Sequence, residues 1–272
     1  MSSAKACCQP KNTSEQEYNE FLLGNAPEGL NVKESQGREG MVYLSSTAEC
    51  LELRQDVHQF GLAGKIWHSL DPAPPIPRSC FLDCIEPMER PYRIIELGAG
   101  TGYVGIALAN MLRKECEVYI TDLLQVLPLI TENVSARHQA AAAHVRVERL
   151  HWGNKGDAQK LLQDGPFDVV IASDCVYFPE LFPLLQDTLL DICSPQTRVV
   201  IGYKCRSLEK EVGFWQDYFG RYFEYEPVRK KDAGLFGEED QMFVFVGSRR
   251  PCNEVKAADD TFTTILFCSM DI

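Results

Sequence analysis

Two neighbouring residues near the middle of the chain could do chemistry on a cationic side chain. In "FDVVIASDCVYFPELF", Asp174 stands three residues before Tyr177, at the end of an apolar run. A carboxylate beside an aromatic ring suits a lysine. The carboxylate attracts and orients the ammonium, and the ring faces the alkyl stem or the cation. Standing alone, Asp174 would serve equally well as the cap of the turn that follows. A pair of this kind also needs a second reactant at the same place.

"IIELGAGTGYVGIALAN", residues 94–110, offers one and leaves its identity open. Gly100, Gly102 and Gly105 spell G-x-G-x-x-G, the fingerprint of a dinucleotide-binding loop. Glu96 followed by Gly98, Gly100 and Gly102 spells E-x-G-x-G-x-G, the pattern of a loop that holds S-adenosylmethionine. Either ligand requires a strand that ends in a turn where side chains would obstruct it, followed by a helix. Glycine there supplies close approach and positive φ. Asp122 follows by about 20 residues, where an acidic side chain can take both hydroxyls of a ribose. The same residue would make a good N-cap for a helix starting at Leu124. Trp152 in "LHWGN" and Trp67 in "GKIWHSL" are flat rings able to lie against an adenine, although large aromatics are more often core.

Strands must deliver these residues. From Tyr92 onward the pattern reads as strands at 93–97, 117–121, 146–150, 167–172, 198–203 and 242–247. Between them lie helices at 104–113, 124–136, 158–163, 179–192 and 209–219. Such alternation makes a doubly wound α/β domain, a mostly parallel sheet with helices on both faces and ligands outside the carboxyl ends of the strands. The glycine loop, Asp122, "HWGN" and "SDCVY" each follow a strand. Upstream, "MVYLSS" and "CLELRQD" read as a β-hairpin turning at Thr47 and Ala48. "FGLAGKIWHSL" then reads as a loop entering a short helix, and the proline-rich segment at 71–91 is too broken for regular structure. The chain divides into a flexible lead-in at 1–40, an extension with the hairpin at 41–91, the α/β domain at 92–248 and a tail at 249–272.

With 272 residues, 45% of them hydrophobic, the chain can bury a sizeable core. It has no long apolar run and no apolar segment near its start, which points to the cytoplasm rather than to a membrane or secretion. Eleven cysteines, odd in number and scattered through core-like segments, read as reduced thiols, and no C-x-x-C or histidine spacing indicates a metal. The net charge of −12, from 39 acidic and 27 basic residues, repels nucleic-acid backbones and suits a basic protein surface. It also serves plain solubility.

Taken in order, "ELRQD", "GKIW", "IIELGAGTGYVGIALA", "VYITD", "LHWGN" and "FDVVIASDCVYFPELFPLLQDTLLDI" resemble the protein-lysine methyltransferases of the methyltransferase-like 21 group, over residues 51–247. That group belongs to the seven-β-strand superfamily. The resemblance implies a seven-stranded Rossmann-like sheet and S-adenosylmethionine as cofactor. It implies that Gly98, Ala99 and Gly100 meet the cofactor's amino-acid end, Asp122 its ribose and Trp152 its adenine side, with Ser173 and Trp67 as the remaining wall. Asp174 and Tyr177 would form the catalytic D-x-x-Y that faces the lysine. The closest likeness, to fungal elongation factor 1-alpha lysine methyltransferases, implies that factor as substrate. A p97-type ATPase or an Hsp70-type chaperone are the alternatives, and the enzyme would be a monomer without nucleic-acid or membrane partners. Ser173 in place of the usual alanine, Tyr103 in place of a leucine, and the long 71–91 insertion depart from the pattern at the pocket or its rim. Two readings of other classes stand beside this one: a dinucleotide-dependent oxidoreductase, and a non-catalytic binding protein that keeps the methyltransferase shell.

Overall fold

The strand Tyr92–Leu97 (β3) is buried along its whole length, as a central parallel strand with both faces covered must be. In the computed structural model, which describes residues 39–44, 49–66, 90–112, 115–138, 143–228 and 242–270, it lies inside a seven-stranded sheet with neighbours on both sides. Two strands precede it as a separate antiparallel hairpin, β1 (Glu39–Leu44) and β2 (Glu49–Arg54). The others are β4 (Cys116–Asp122), β5 (His144–Arg149), β6 (Val169–Ser173), β7 (Arg198–Lys204), β8 (Phe223–Pro227) and β9 (Met242–Arg249). They run in the order β5-β4-β3-β6-β7-β9-β8, and only β9 is antiparallel to its neighbours.

This is the mostly parallel, doubly wound sheet that the sequence implies. The order reverses between β3 and β6, so the crevice at their carboxyl ends is the expected ligand position. Strand β8 has no counterpart among the strands read from the pattern. Glu224 and Glu226 point out to solvent from this edge strand, which blunts its hydrophobic signal and its tendency to pair with other chains.

Helices cover both faces. The first short helix, α1 (Val57–Phe60), runs into a 3-10 turn at Gly61–Gly64. On one face α2 (Tyr103–Met111) and α3 (Leu127–Arg137) pack on Ile94, Val118, Ile120, Val169 and Val200. On the other, α4 (Lys155–Leu162), α5 (Phe182–Ile192) and α6 (Leu208–Gly213) meet Ile95, Leu97, Val170, Val199 and Ile201. Residues one apart along each strand thus serve opposite cores, as the period of two demands.

The hairpin is tied to this body through a buried amide. Asn133 on α3 accepts from the Arg54 N–H at 2.8 Å and donates to the carbonyls of Arg54, at 3.2 Å, and Thr101, at 2.8 Å. Its β1 begins at Glu39, inside the segment read as a flexible lead-in. The hairpin turn at Thr47 and Ala48, and most of the proline-rich segment, lie outside the described residues.

Helix α6 continues as a π-helical stretch, Phe214–Phe219, whose rings build an aromatic cluster. The segment read as a C-terminal tail contributes to it. Helix α7 (Thr261–Met270) buries Phe262, which stacks on Trp215 with centroids 4.8 Å apart and planes 3° from parallel. Of the free cysteines among the described residues, Cys116, Cys175 and Cys193 are buried and Cys205 is partly so, whereas Cys252 is exposed. We expect Phe262→Ala to cost about 3–5 kcal/mol in urea unfolding, the usual loss for a buried phenylalanine. Phe267→Ala, on the same helix but 62% exposed, should leave the midpoint unchanged. Equal behaviour of the two would mean that α7 is not part of the cooperative unit.

Candidate active site

The loop after β3 owes its shape to glycines with positive φ. Gly98 sits at φ 61°, and a Cβ there would lie 2.8 Å from Trp152 Cζ2 and 3.2 Å from Cys175 Sγ. Gly100, at φ 58°, has the Ala63 carbonyl 3.0 Å from where its Cβ would be. A side chain at either position would push the loop off its walls. Gly105 answers a different need: its N–H donates to Glu96 Oε2 at 2.8 Å, and a Cβ would collide with Ile120. That glycine packs α2 against the sheet, so the literal G-x-G-x-x-G is explained without a dinucleotide.

Asp122 closes β4, and both of its oxygens are engaged. Oδ2 accepts from Gly100 N–H at 2.8 Å and Oδ1 from Leu123 N–H at 2.7 Å. Burial raises its pKa to about 6 against the lowering effect of these two bonds. The alternative role as an N-cap does not hold. The helix starts at Leu127, after a turn, and its N-cap is Val126. Pro128 in its first turn is the local signal for that later start. Beneath the loop Glu96 is fully buried. Desolvation first, with a smaller push from the Asp122 charge, lifts its carboxyl to about 8, and the Gly105 N–H only partly offsets this.

Trp152 follows β5. Gly153 turns at φ 79° and donates to Thr188 Oγ1 at 2.8 Å, and the Asn154 side chain caps α4, so the indole is held against the glycine loop. Ser173 ends β6 and Asp174 follows it in the left-handed region at φ 56°, unusual for a residue with a side chain. The Asp174 N–H nevertheless continues the ladder to the Gly202 carbonyl at 2.9 Å. Cys175 turns inward, its thiol raised well above the ordinary range by burial, so it is packing rather than a nucleophile.

Gly98, Ala99, Gly100, Asp122, Trp152, Ser173, Asp174 and Tyr177 all line one cleft at the switch point. Trp67 lies outside the described residues. Sequence reasoning missed two parts of the site. The segment just before Trp67 forms a wall with Phe60, Leu62, Ala63 and Lys65, although "FGLAGKIWHSL" reads only as a loop entering a short helix. Arg206, just beyond β7, grips Asp174 through two bonds, Nη1 to Oδ1 and Nη2 to Oδ2, each 2.5 Å. The side chains of this pair are only 6% and 5% exposed. Burial alone would lower the Arg206 pKa, but the bonds to Asp174 outweigh it and raise it. A position just past the carboxyl end of a strand was the available signal for Arg206.

Residues 45–218 match a family described as lysine methyltransferase. The chain belongs to that family. It is 40% identical over 144 residues to an EEF1A lysine methyltransferase 3 of Xenopus tropicalis, covering 53% of this chain and 61% of that one. It is 34% identical over 125 residues to the protein-lysine N-methyltransferase EFM6 of Saccharomyces cerevisiae, covering 42% and 50%. The protein N-lysine methyltransferase METTL21A of Danio rerio matches at 33% over 157 residues, covering 57% and 67%. The matched part thus spans between half and two thirds of these relatives' lengths. Among solved structures, a CurJ carbon methyltransferase covers 72% of the chain and 57% of its own, with a TM-score of 0.48 at 15% identity. Membership of the family sets aside the oxidoreductase reading of the glycine loop.

The buried Glu96 leads to a stability prediction. Its folded pKa, about 8, lies above its unfolded one of 4.5, so the folded state holds the extra proton. Its contribution is complete below the unfolded value and is lost as pH rises toward 8. Glu96→Gln keeps an acceptor for Gly105 and removes the titration. Thermal and urea unfolding of ligand-free protein should show the variant gaining on the wild type from pH 5 to 8, by at most about 1.4 kcal/mol per unit. A difference that does not change with pH would show that Glu96 is not held protonated.

Proposed function

We propose that the chain is an S-adenosylmethionine-dependent protein-lysine N-methyltransferase whose substrate is translation elongation factor 1-alpha, acting in the cytoplasm. One observation carries this reading: a glycine cradle with a ribose-ready carboxylate and the Asp174–Tyr177 pair border the same cleft. Among the similar proteins, one is named for EEF1A, which supports the substrate, and two are named only as protein-lysine methyltransferases, which supports the activity.

The residues fit the cofactor. After its two backbone bonds each Asp122 oxygen keeps a lone pair for a ribose hydroxyl. The cradle at Gly98 and Gly100 has no side chain to obstruct an amino-acid end, and Trp152 with Phe60 and Leu62 offers an apolar wall to an adenine. Ser173 completes the lining beside Asp174. When bound, S-adenosylmethionine supplies an electrophilic methyl group on a sulfonium. The chain's own task is alignment of the lysine amine and exclusion of water. Tyr177, packed on Phe178 with centroids 4.7 Å apart, presents a fixed ring for the lysine's alkyl stem. Asp174 orients the nitrogen. The chain's net charge of −12 favours encounter with a basic protein surface.

Calorimetry should show saturable binding of S-adenosylmethionine and of its demethylated product, with no comparable affinity for NAD. That affinity should fall as pH drops through about 6, where Asp122 takes up a proton. Asp122→Ala should weaken binding by about tenfold or more, as expected for loss of a charged acceptor. Asp174→Ala should bind the cofactor almost normally and transfer no methyl. Labelled cofactor and the enzyme, added to a lysate from cells lacking it, should mark elongation factor 1-alpha, less so as salt rises to physiological strength. Labelling of other proteins with that factor untouched would remove the substrate. Binding of NAD alone would remove the activity.

A further inference from the structure

A free carboxylate at the lysine edge would work against methyl transfer. Only a neutral amine has the lone pair that attacks, and at pH 7 roughly one free lysine in a few thousand is neutral, given a pKa of about 10.4. An unpaired aspartate nearby favours the ammonium and makes that fraction smaller. The geometry offers a resolution. Both Asp174 oxygens accept from the Arg206 guanidinium, in a bidentate pair almost wholly withdrawn from solvent. Each oxygen retains a lone pair that can accept an amine N–H.

We propose that Arg206 is a positioning residue that keeps Asp174 charge-balanced, so that the cleft seats the lysine as its neutral amine. This rests on the lysine-methyltransferase reading of the cleft. The ammonium gives its proton to solvent before it seats, and Asp174 orients the amine by accepting its N–H without forming an ion pair. Arg206 does not itself line the cleft and acts through Asp174. It is held from behind. Its backbone N–H donates to Glu211 Oε2 at 3.1 Å, and the Tyr203 hydroxyl donates to the same oxygen at 2.7 Å. Guanidinium Nη1 also reaches the Lys204 carbonyl at 3.4 Å.

Other charged and titratable groups face the pair. Glu211 and Cys205 flank Arg206, and Tyr177 shares its field. Lys65, His151, Glu96 and Asp122 border the cleft, and Cys175 lies next to Asp174. Glu96, raised to about 8, changes charge in the range tested below, but it does so equally in the wild type and in variants at position 206.

The test uses n-butylamine, a lysine side chain without its backbone, and the full chain saturated with S-adenosylhomocysteine. Its binding is followed by calorimetry from pH 7.5 to 9.5. If only the neutral amine binds, wild-type affinity rises about tenfold per pH unit, because the amine's pKa of about 10.4 lies above the range. Arg206→Gln leaves the Asp174 charge unbalanced and should flatten this dependence, and Arg206→Lys should keep it. Asp174→Asn, with Arg206 in place, should bind more weakly yet keep the slope. It stands in should Arg206→Gln fail to fold. Unchanged affinity for S-adenosylhomocysteine certifies each variant. A flat wild-type profile, no binding by the wild type, a flat Asp174→Asn profile, or a full slope in Arg206→Gln would each overturn the proposal. Methylation of lysate proteins is read separately. A steep butylamine profile with no protein ever methylated would sink the enzymatic reading and leave the charge balance intact.

Discussion

The cleft depends first on the hydrogen bond from the Gly100 N–H to Asp122 Oδ2, 2.8 Å long. It joins the loop after β3 to the last residue of β4, and a second bond, from Ala99 N–H to the Thr121 carbonyl at 3.0 Å, doubles the join. Both need the loop to turn at positive φ close to its neighbours, which glycine alone does without strain. They also need the parallel register in which Leu97 stands opposite Thr121. A slip of one residue would send Asp122 to the opposite face of the sheet and break the join. The hydrophobic alternation of β3 and β4, which fixes that register by feeding two separate cores, is therefore also what fixes the carboxylate at the cradle.

Three carboxylates near the loop and the strand ends illustrate how differently a buried charge can be managed. Glu96 has one backbone N–H against full burial, and its carboxyl is pushed up to about 8. Asp122 has two, and settles at about 6. Asp174 has a whole guanidinium. The difference between Glu96 and Asp122 follows the balance between desolvation and donors. It also sorts the groups by use. A protonated Glu96 is an internal brace, Asp122 is an acceptor at neutral pH, and Asp174 is a charge already answered by the fold.

Much of this was legible in the sequence, because the functional residues of an open α/β sheet are local to strand ends. A residue just after an apolar run is also a residue at the carboxyl edge, which is why Asp122, Trp152, Ser173 and Asp174 could be picked out by position. What stayed hidden depends on contacts between distant segments. Phe60 to Lys65 become a wall only because Asn133 anchors the preceding hairpin to α3 and the glycine loop. Phe262 reads as one aromatic among many until it stacks on Trp215. Strand β8 was obscured by its own edge position, where alternating glutamates weaken the apolar signal. Helix α3 starts at Leu127, three residues past the start that the pattern implies, because Pro128 marks the first turn better than an acidic residue upstream marks a cap.

Arg206 links these hidden parts to the visible ones. Its backbone N–H rests on Glu211, and Glu211 lies on α6 just before the π-helical stretch, whose Trp215 packs on Phe262 of α7 and Phe245 of β9 and whose Phe219 stacks on Phe223 of β8. The aromatic packing thus has work beyond area burial. A π-helical turn departs from the regular α ladder and persists only when its surroundings over-determine it, and here stacked rings supply that constraint. Were the stretch free to relax, Glu211 would shift, the guanidinium would lose its rear support, and the bidentate fork on Asp174 would open. A bidentate pair tolerates little displacement, since both bonds depend on one plane. The precision of the Asp174–Arg206 fork is therefore borne by rings on the far side of α6, in a part of the chain that does not line the cleft.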